Sequence, residues 1–164
     1  VIGYVQFPTL LQALMAPFNE VVDVSNTPLF MDAVIPAGNI YATAEELSRF
    51  YQMLLDGGSY RGRQVMKHET VRRAVRPVGG VSFDHTLKIP MRYSEGMMLG
   101  ANPFGIYGPM TGRAYGHLGF MNILGWADLE RDIAVGLLVT GKALLGSHMV
   151  ALFKLMTAIS KQCR

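Results

Sequence analysis

The sequence predicts an α+β chain: antiparallel strands, a helical segment before them and a C-terminal helix packed on them. Two observations carry this. An amphipathic helix with a complete capping signature lies in the first half. Two apolar stretches joined by a short polar turn, then a helical apolar pattern, lie in the second.

Composition narrows the class first. Half of the 164 residues are hydrophobic and 16% are charged, enough apolar material for a sizeable core and too much for a disordered chain. The longest strongly apolar run, Ile133 to Val139, is far too short to span a bilayer. Cys163 is the one cysteine, so no internal disulfide can form, and no zinc-type Cys/His spacing exists. Val1 stands where a start methionine would, as expected of a processed, truncated or excised chain. No signal-peptide pattern is visible within it. The net charge of +3 gathers at Arg61, Arg63, Lys67, Arg72, Arg73 and Arg76. Nucleic-acid binding would want interleaved aromatics or a known motif. Neither is present, so a solvated helix face explains the cluster.

Along the chain, Pro8 can open a short helix carrying Leu10, Leu11, Leu14 and Met15, which Pro17 ends. Asn19 to Pro36 reads as an irregular connection, and Pro36-Ala37-Gly38 as a tight turn. Thr43 and Glu46 then form a capping box. Behind them Leu47, Phe50, Tyr51, Leu54 and Leu55 make one apolar stripe, and Asp56-Gly57-Gly58 stops the helix. A shorter helix is expected from Glu69 to Val75.

From residue 92 the period changes. Tyr93 to Leu99 reads as a strand and Asn102 to Thr111 as a loop. Ala114 to Phe120 and Asn122 to Ala127 read as strand, broken or bulged near Gly119. Asp128 to Asp132 makes a turn into the apolar strand Ile133 to Thr140, which should pair antiparallel with its predecessor. Ser147 can cap a last helix bearing Met149, Leu152, Phe153, Met156 and Ile159. The division expected is a helical and loop segment over 1–91, then strands and terminal helix over 92–164.

Two segments resemble a known family. Pro36-Ala37-Gly38-Asn39-Ile40-Tyr41-Ala42-Thr43-Ala44-Glu45-Glu46-Leu47-Ser48-Arg49-Phe50 resembles the "P-A-G-G-x-x-S-T-A-x-D-L-A-R-F" helix start of serine β-lactamase-like hydrolases. Tyr115-Gly116-His117-Leu118-Gly119-Phe120, followed by Trp126-Ala127-Asp128 and Arg131-Asp132, resembles that family's "G-H-x-G" strand and the turn after it. Each motif alone is moderately specific. Their order and spacing agree over about residues 36 to 140. The chain thus resembles the C-terminal part of a β-lactamase/penicillin-binding-protein-like hydrolase of esterase type.

The resemblance implies a partial β-lactamase/transpeptidase-like fold and chemistry through an acyl-enzyme. In that family the serine of a Ser-x-x-Lys attacks the acyl carbon, and a Tyr or the Lys takes its proton. None of the serines at 25, 48, 59, 82, 94, 147 and 160 has Lys three positions later. None of the tyrosines has Asn or Ser two positions later. What remains is the His-x-Gly strand. By resemblance His117 takes the family's Lys/His position, setting electrostatics at the nucleophile side and contacting substrate. The backbone N–H of Phe120 would be one oxyanion donor. Gly119 would let substrate approach closely. Leu118 stands where β-lactamases carry a hydroxyl for the β-lactam carboxylate, which favours an esterase. Leu118, Gly119 and Tyr115 are the candidate substrate contacts, although for Tyr115 and Trp126 packing is the simpler role.

His68, His85 and His148 read as surface or loop residues, Asp128 and Asp132 as turn stabilisers, and the eleven methionines as core filler. No cofactor or metal is implied. The expected substrate is a small ester or amide. The expected partner is the missing N-terminal part of the same protein, or a second copy joined through an exposed sheet edge. A non-catalytic binding or assembly module on this scaffold and a peptidase acting on cell-wall peptides are the rival expectations. The compartment stays open between a bacterial cytoplasm and periplasm.

Overall fold

The computed structural model describes residues 23, 24, 26–34, 40–85, 87, 89–119, 123–139 and 148–163. It divides into two units, Val1–Tyr41 and Ala42–Arg164. The expected helix at Pro8, the turn at Pro36 and the cap at Ser147 lie outside the described residues. In the first unit a short helix, α1 (Pro28–Asp32), interrupts the expected irregular connection. Thr27 explains it: its hydroxyl accepts the Phe30 N–H, and Pro28 takes the first turn, where its missing N–H costs nothing.

The second unit opens with α2 (Ala44–Leu55), where the capping box forms as expected. The Glu46 N–H donates to Thr43 Oγ1 at 3.2 Å, and the Thr43 N–H donates to Glu46 Oε2 at 2.8 Å. That backbone N–H, and then the Thr43 hydroxyl, hold the Glu46 carboxyl below its usual range. Gly57, at φ +66°, ends the helix. A hairpin of β1 (Ser59–Tyr60) and β2 (Arg63–Gln64) and the helix α3 (His68–Ala74) follow. The basic cluster is a solvated surface, with Arg72 paired to Glu69, and Arg73 and Arg76 to Glu95.

The main sheet has six strands, antiparallel throughout, in the order β10-β9-β8-β5-β4-β3. These are β3 (Ser82–Asp84), β4 (Ile89–Tyr93), β5 (Met98–Leu99), β8 (Ala114–Leu118), β9 (Leu124–Asp128) and β10 (Ile133–Leu137). A separate hairpin, β6 (Phe104–Gly105) with β7 (Gly108–Pro109), lies between β5 and β8. The terminal helix is α4 (His148–Gln162).

Register sorts the side chains onto two faces. Leu99, Tyr115, Ala127 and Ala134 stand in one row across β5, β8, β9 and β10. They pack with Tyr51, Leu54 and Val71 from α2 and α3. Met98, Gly116, Trp126 and Val135 form the next row and face the other way. There Trp126 stacks on Tyr107 at 5.6 Å between ring centroids, and Met156 of α4 closes the layer. Each large apolar side chain buried in these layers contributes about 1.5–3 kcal/mol relative to exposure.

Helix α2 sits unusually low on its face. Gly125 and Gly136 are direct partners on β9 and β10. A Cβ on Gly136 would lie 2.3 Å from the Ala44 carbonyl oxygen, and one on Gly125 would lie 2.2 Å from the Tyr51 ring. The two glycines make a notch that the helix fills.

A buried ion pair fixes the far end. Arg131 Nη1 lies 2.7 Å from Asp128 Oδ2, with side chains 7% and 1% exposed. Its Nε donates to the Ser160 carbonyl of α4 at 2.8 Å, and Nη1 to the Met110 carbonyl at 3.0 Å. Asp128 also accepts the Glu130 N–H, which makes it the turn stabiliser expected. Stranding either partner of such a pair costs about 3–5 kcal/mol.

Several elements depart from expectation. The strand expected over Tyr93 to Leu99 is two strands, because Ser94 makes a turn. Its hydroxyl oxygen accepts the Met97 N–H at 2.8 Å, and its proton goes to the Ala74 carbonyl at 2.5 Å. Strands also begin before residue 92, at β3 and β4. The expected loop over 102–111 carries the β6–β7 hairpin. Residues 114–118 and 124–128 form two paired strands rather than one broken strand, with the Gly119 N–H donating to the Ile123 carbonyl at 2.6 Å. On α2 the stripe is rotated: Met53 is buried, while Phe50 is 40% exposed.

Gly136→Ala should destabilise the fold by about 1–3 kcal/mol, because the added methyl meets helix backbone that cannot yield. Gly80→Ala, with open space around it, is the control. Equilibrium denaturation of both checks this; equal stability would mean that the notch is loose.

The core tyrosines make a second test. Burial pushes the Tyr51, Tyr93 and Tyr115 hydroxyls up to about 12, and the Asp84 carboxylate, accepting the Tyr93 hydroxyl, adds to the shift at Tyr93. In the unfolded chain they ionise near 10, at about the model-peptide value. The folded state therefore holds protons that the unfolded state loses between pH about 10 and about 12. Their stabilising contribution is complete below pH 10 and disappears as pH rises through that window. Phenolate absorbance should show a late-titrating group in the folded chain that is absent in denaturant. Ionisation of all tyrosines near pH 10 in the folded chain would contradict the burial.

Candidate active-site wall

Strand β8 carries the His-x-Gly segment, and alternation decides what it presents. His117 pairs with Gly125 on β9, so its side chain stands on the α2 face, where it is exposed. Across β10, β9 and β8 the row reads Gly136, Gly125, His117. The first two positions lie under α2. The third lies past the helix.

Tyr51 joins the helix to this strand. Its ring covers Gly125. Burial pushes its hydroxyl up to about 12, and the nearby His117 backbone offsets part of that rise. Among the described residues the His117 imidazole has no hydrogen-bond or ion-pair partner, so it is free to meet one supplied from elsewhere.

Leu118 turns to the opposite face. It is half-buried against the layer of Met98 and Trp126, and its N–H approaches Met98 Sδ at 3.5 Å. His117 and the Leu118 side chain are not brought together. Gly119 is half-buried just beyond the strand. A Cβ there would lie 3.2 Å from the Ile123 carbonyl oxygen and 3.4 Å from Ile123 Cβ, tight enough that the turn would have to give. Tyr115 is buried, 2% exposed, among the residues beneath α2. Phe120, the expected oxyanion donor, lies outside the described residues.

No described serine is set up as a nucleophile. Ser48 donates to the Glu45 carbonyl, Ser59 to Gln64 Oε1, Ser94 to the Ala74 carbonyl and Ser160 to the Thr157 carbonyl. Each of these four hydroxyls thus spends its proton on a local acceptor that is no base, and the fifth described serine, Ser82, is exposed with no side-chain hydrogen bond among the described residues. No group of three or more His, Cys, Asp or Glu that could hold a metal occurs among the described residues. The segment offers an exposed histidine, a half-buried glycine and strand backbone.

The link from Tyr51 to His117 was not foreseen from the sequence, where Tyr51 reads as one member of an apolar stripe. A usable signal was present. Leu124-Gly125-Trp126 and Val135-Gly136-Leu137 each interrupt an apolar strand with one glycine, and the short turn between the strands makes those glycines partners.

Comparison with known proteins agrees with this layout. The Beta-lactamase family model matches residues 6–153. "Esterase/beta-lactamase LipL" of Mycobacterium tuberculosis is 34% identical over 107 residues, 65% of this chain and 24% of that protein. The chain thus spans about a quarter of the length of that curated relative. Among solved structures, a family VIII carboxylesterase superposes with a TM-score of 0.68 at 20% identity, covering 87% of this chain and 37% of that one. A penicillin-binding protein homolog from Caulobacter crescentus gives 0.60 at 23% identity, covering 85% and 39%. EstA from Arthrobacter nitroguajacolicus Rue61a gives 0.59 at 18% identity, covering 88% and 39%. At these identities the structures show shared fold. The family match, together with motifs in family order on this antiparallel sheet, places the chain in the Beta-lactamase family.

Proposed function

We propose that the chain is the C-terminal portion of a serine acyl hydrolase, of carboxylesterase rather than lactamase preference, and supplies one wall of its acyl-transfer site. The observation that carries this is His117, exposed and unpartnered among the described residues, on the α2 face of β8. The nucleophile and its base would come from a Ser-x-x-Lys and a tyrosine motif outside these 164 residues. The serine would form an acyl-enzyme and water would release it. His117 would shape the field at the serine and contact the substrate, and the Phe120 N–H would donate to the tetrahedral oxyanion. A small ester or amide suits such a site. Leu118 offers no hydroxyl, and its side chain faces the other layer, which disfavours recognition of a β-lactam or peptide carboxylate and so the peptidase alternative.

One observation favours a second reading, a non-catalytic binding or assembly module: Ser48, Ser59, Ser94 and Ser160 all have their hydroxyls engaged locally. The upstream coding sequence separates the two. A Ser-x-x-Lys followed by a tyrosine motif supports the hydrolase, and its absence supports the module.

Either reading needs a partner for the sheet. Among the described residues β10 is an edge strand, half-buried along its length, and on α4 Val150 and Phe153 are 58% and 51% exposed. The N-terminal part of the same protein is the proposed cover, with self-association of a lone chain as the substitute.

In the complete enzyme, His117→Ala should lower kcat by about 10²-fold, the scale of losing one aligned polar group at the reacting centre. Steady-state kinetics with a short-chain ester checks this. Unchanged kcat and KM would remove His117 from the site.

A further inference from the structure

We infer that a cavity beside β4 and β5 binds a small monocarboxylate with a short apolar tail. The cavity measures about 190 Å³, and its described lining does not include His117. A cavity of about 150 Å³ takes a benzene ring, so this one has room for a ligand of roughly eight non-hydrogen atoms.

Its walls divide by chemistry. Leu99 forms a buried apolar wall, Ile106 a half-buried one, and Val81 and Phe104 an exposed apolar rim, with Phe104 78% exposed. Arg92 supplies the one charge of the lining. The pairing of Arg92 with Leu99 puts both side chains on the same face of the sheet. The guanidinium is half-buried. Nη1 donates to the Gly100 carbonyl at 3.0 Å and to the Gly112 carbonyl at 3.4 Å. Those two carbonyls fix the orientation of the fork and occupy only one of its nitrogens. Nε and Nη2 have no acceptor among the described residues.

Among the described residues no carboxylate is paired with this cation. The acid of the neighbouring hairpin, Asp84, pairs with Ile89 and so lies on the opposite face, where it accepts the Tyr93 hydroxyl and the Leu87 N–H. Arg92 is thus a half-buried cation, oriented by carbonyls, with donors open beside apolar walls. A planar carboxylate matches that fork better than water does. Inorganic phosphate would satisfy the charge and leave the apolar walls wet. An alcohol of the same length would do the reverse.

Titration of the ¹⁵N-labelled full chain with sodium hexanoate tests the inference and does not depend on the acyl-hydrolase reading. Saturable shifts are expected at the Arg92, Ala101, Gly105 and Ile106 amides, with millimolar affinity or tighter as roughly eight non-hydrogen atoms allow. Hexanol and inorganic phosphate should not reproduce them. Arg92→Gln should weaken hexanoate at least tenfold. Arg92 also holds two carbonyls, so Ala101→Leu provides a second variant that narrows the cavity and leaves the guanidinium alone; it too should weaken binding. Thermal unfolding confirms that each variant is folded. Absence of saturable shifts with hexanoate, equal shifts with phosphate or hexanol, or unchanged affinity in both variants would overturn the inference.

Discussion

The close approach of α2 to the sheet at Gly125 and Gly136 sets the geometry on which the rest depends. A helix on a sheet normally rides on the side chains beneath it. Here two partnered glycines remove those side chains, and the helix backbone drops to where any Cβ would collide with it. The drop brings Tyr51 down onto β9, within reach of the His117 main chain, and lets Leu54 pack on the Tyr115 layer. The position of β8, and hence the direction of His117, follows from a helix-to-sheet distance set two strands away.

The sheet is buried on both faces along most of its width, so strand alternation acts as a chemical sorting device. One row goes to α2 and α3, the next to α4 and the Tyr107–Trp126 stack. Within the His-x-Gly segment this separates an exposed imidazole from a packed leucine with no adjustable degree of freedom. The Arg131–Asp128 pair does the matching work at the other end of β9 and β10, tying their turn to α4. The helix on one face and the ion pair on the other both tie the β9–β10 hairpin to the helices packed around it.

Much of this was legible in the sequence, and the reason is locality. The capping box at Thr43 and Glu46, the glycine stop at Gly57, the polar turn at Asp128 to Asp132 and the terminal helix are each written within a few consecutive residues. The misses have the opposite character. Ser94 splits a run of strand-like residues because its hydroxyl meets the distant Ala74 carbonyl, 20 positions back. Met53 replaces Phe50 in the core because the helix is rotated by its seat on the glycines, a tertiary choice that its own periodicity does not encode. At the candidate site, residue order singled out His117 and Gly119. The inward turn of Leu118 and the seat of the Tyr51 ring over Gly125 needed the register of β8 against β9. Arg92 carried no motif. It is notable only because the acid that might have paired with it lies on the other face.

The chain belongs to the Beta-lactamase family and spans about a quarter of the length of its curated relative; the reading proposed for it is one wall of an acyl-transfer site whose nucleophile lies elsewhere. The most direct test is labelling with a fluorophosphonate serine probe, read by intact mass, on the folded 164-residue chain alone and on the longer protein containing it. The account predicts no adduct on the chain alone and a single stoichiometric adduct on the longer protein, at a serine outside these residues. A stoichiometric adduct on one of the seven serines of this chain would contradict it, since a nucleophile would then be present where none of the described serine hydroxyls is bonded to a base.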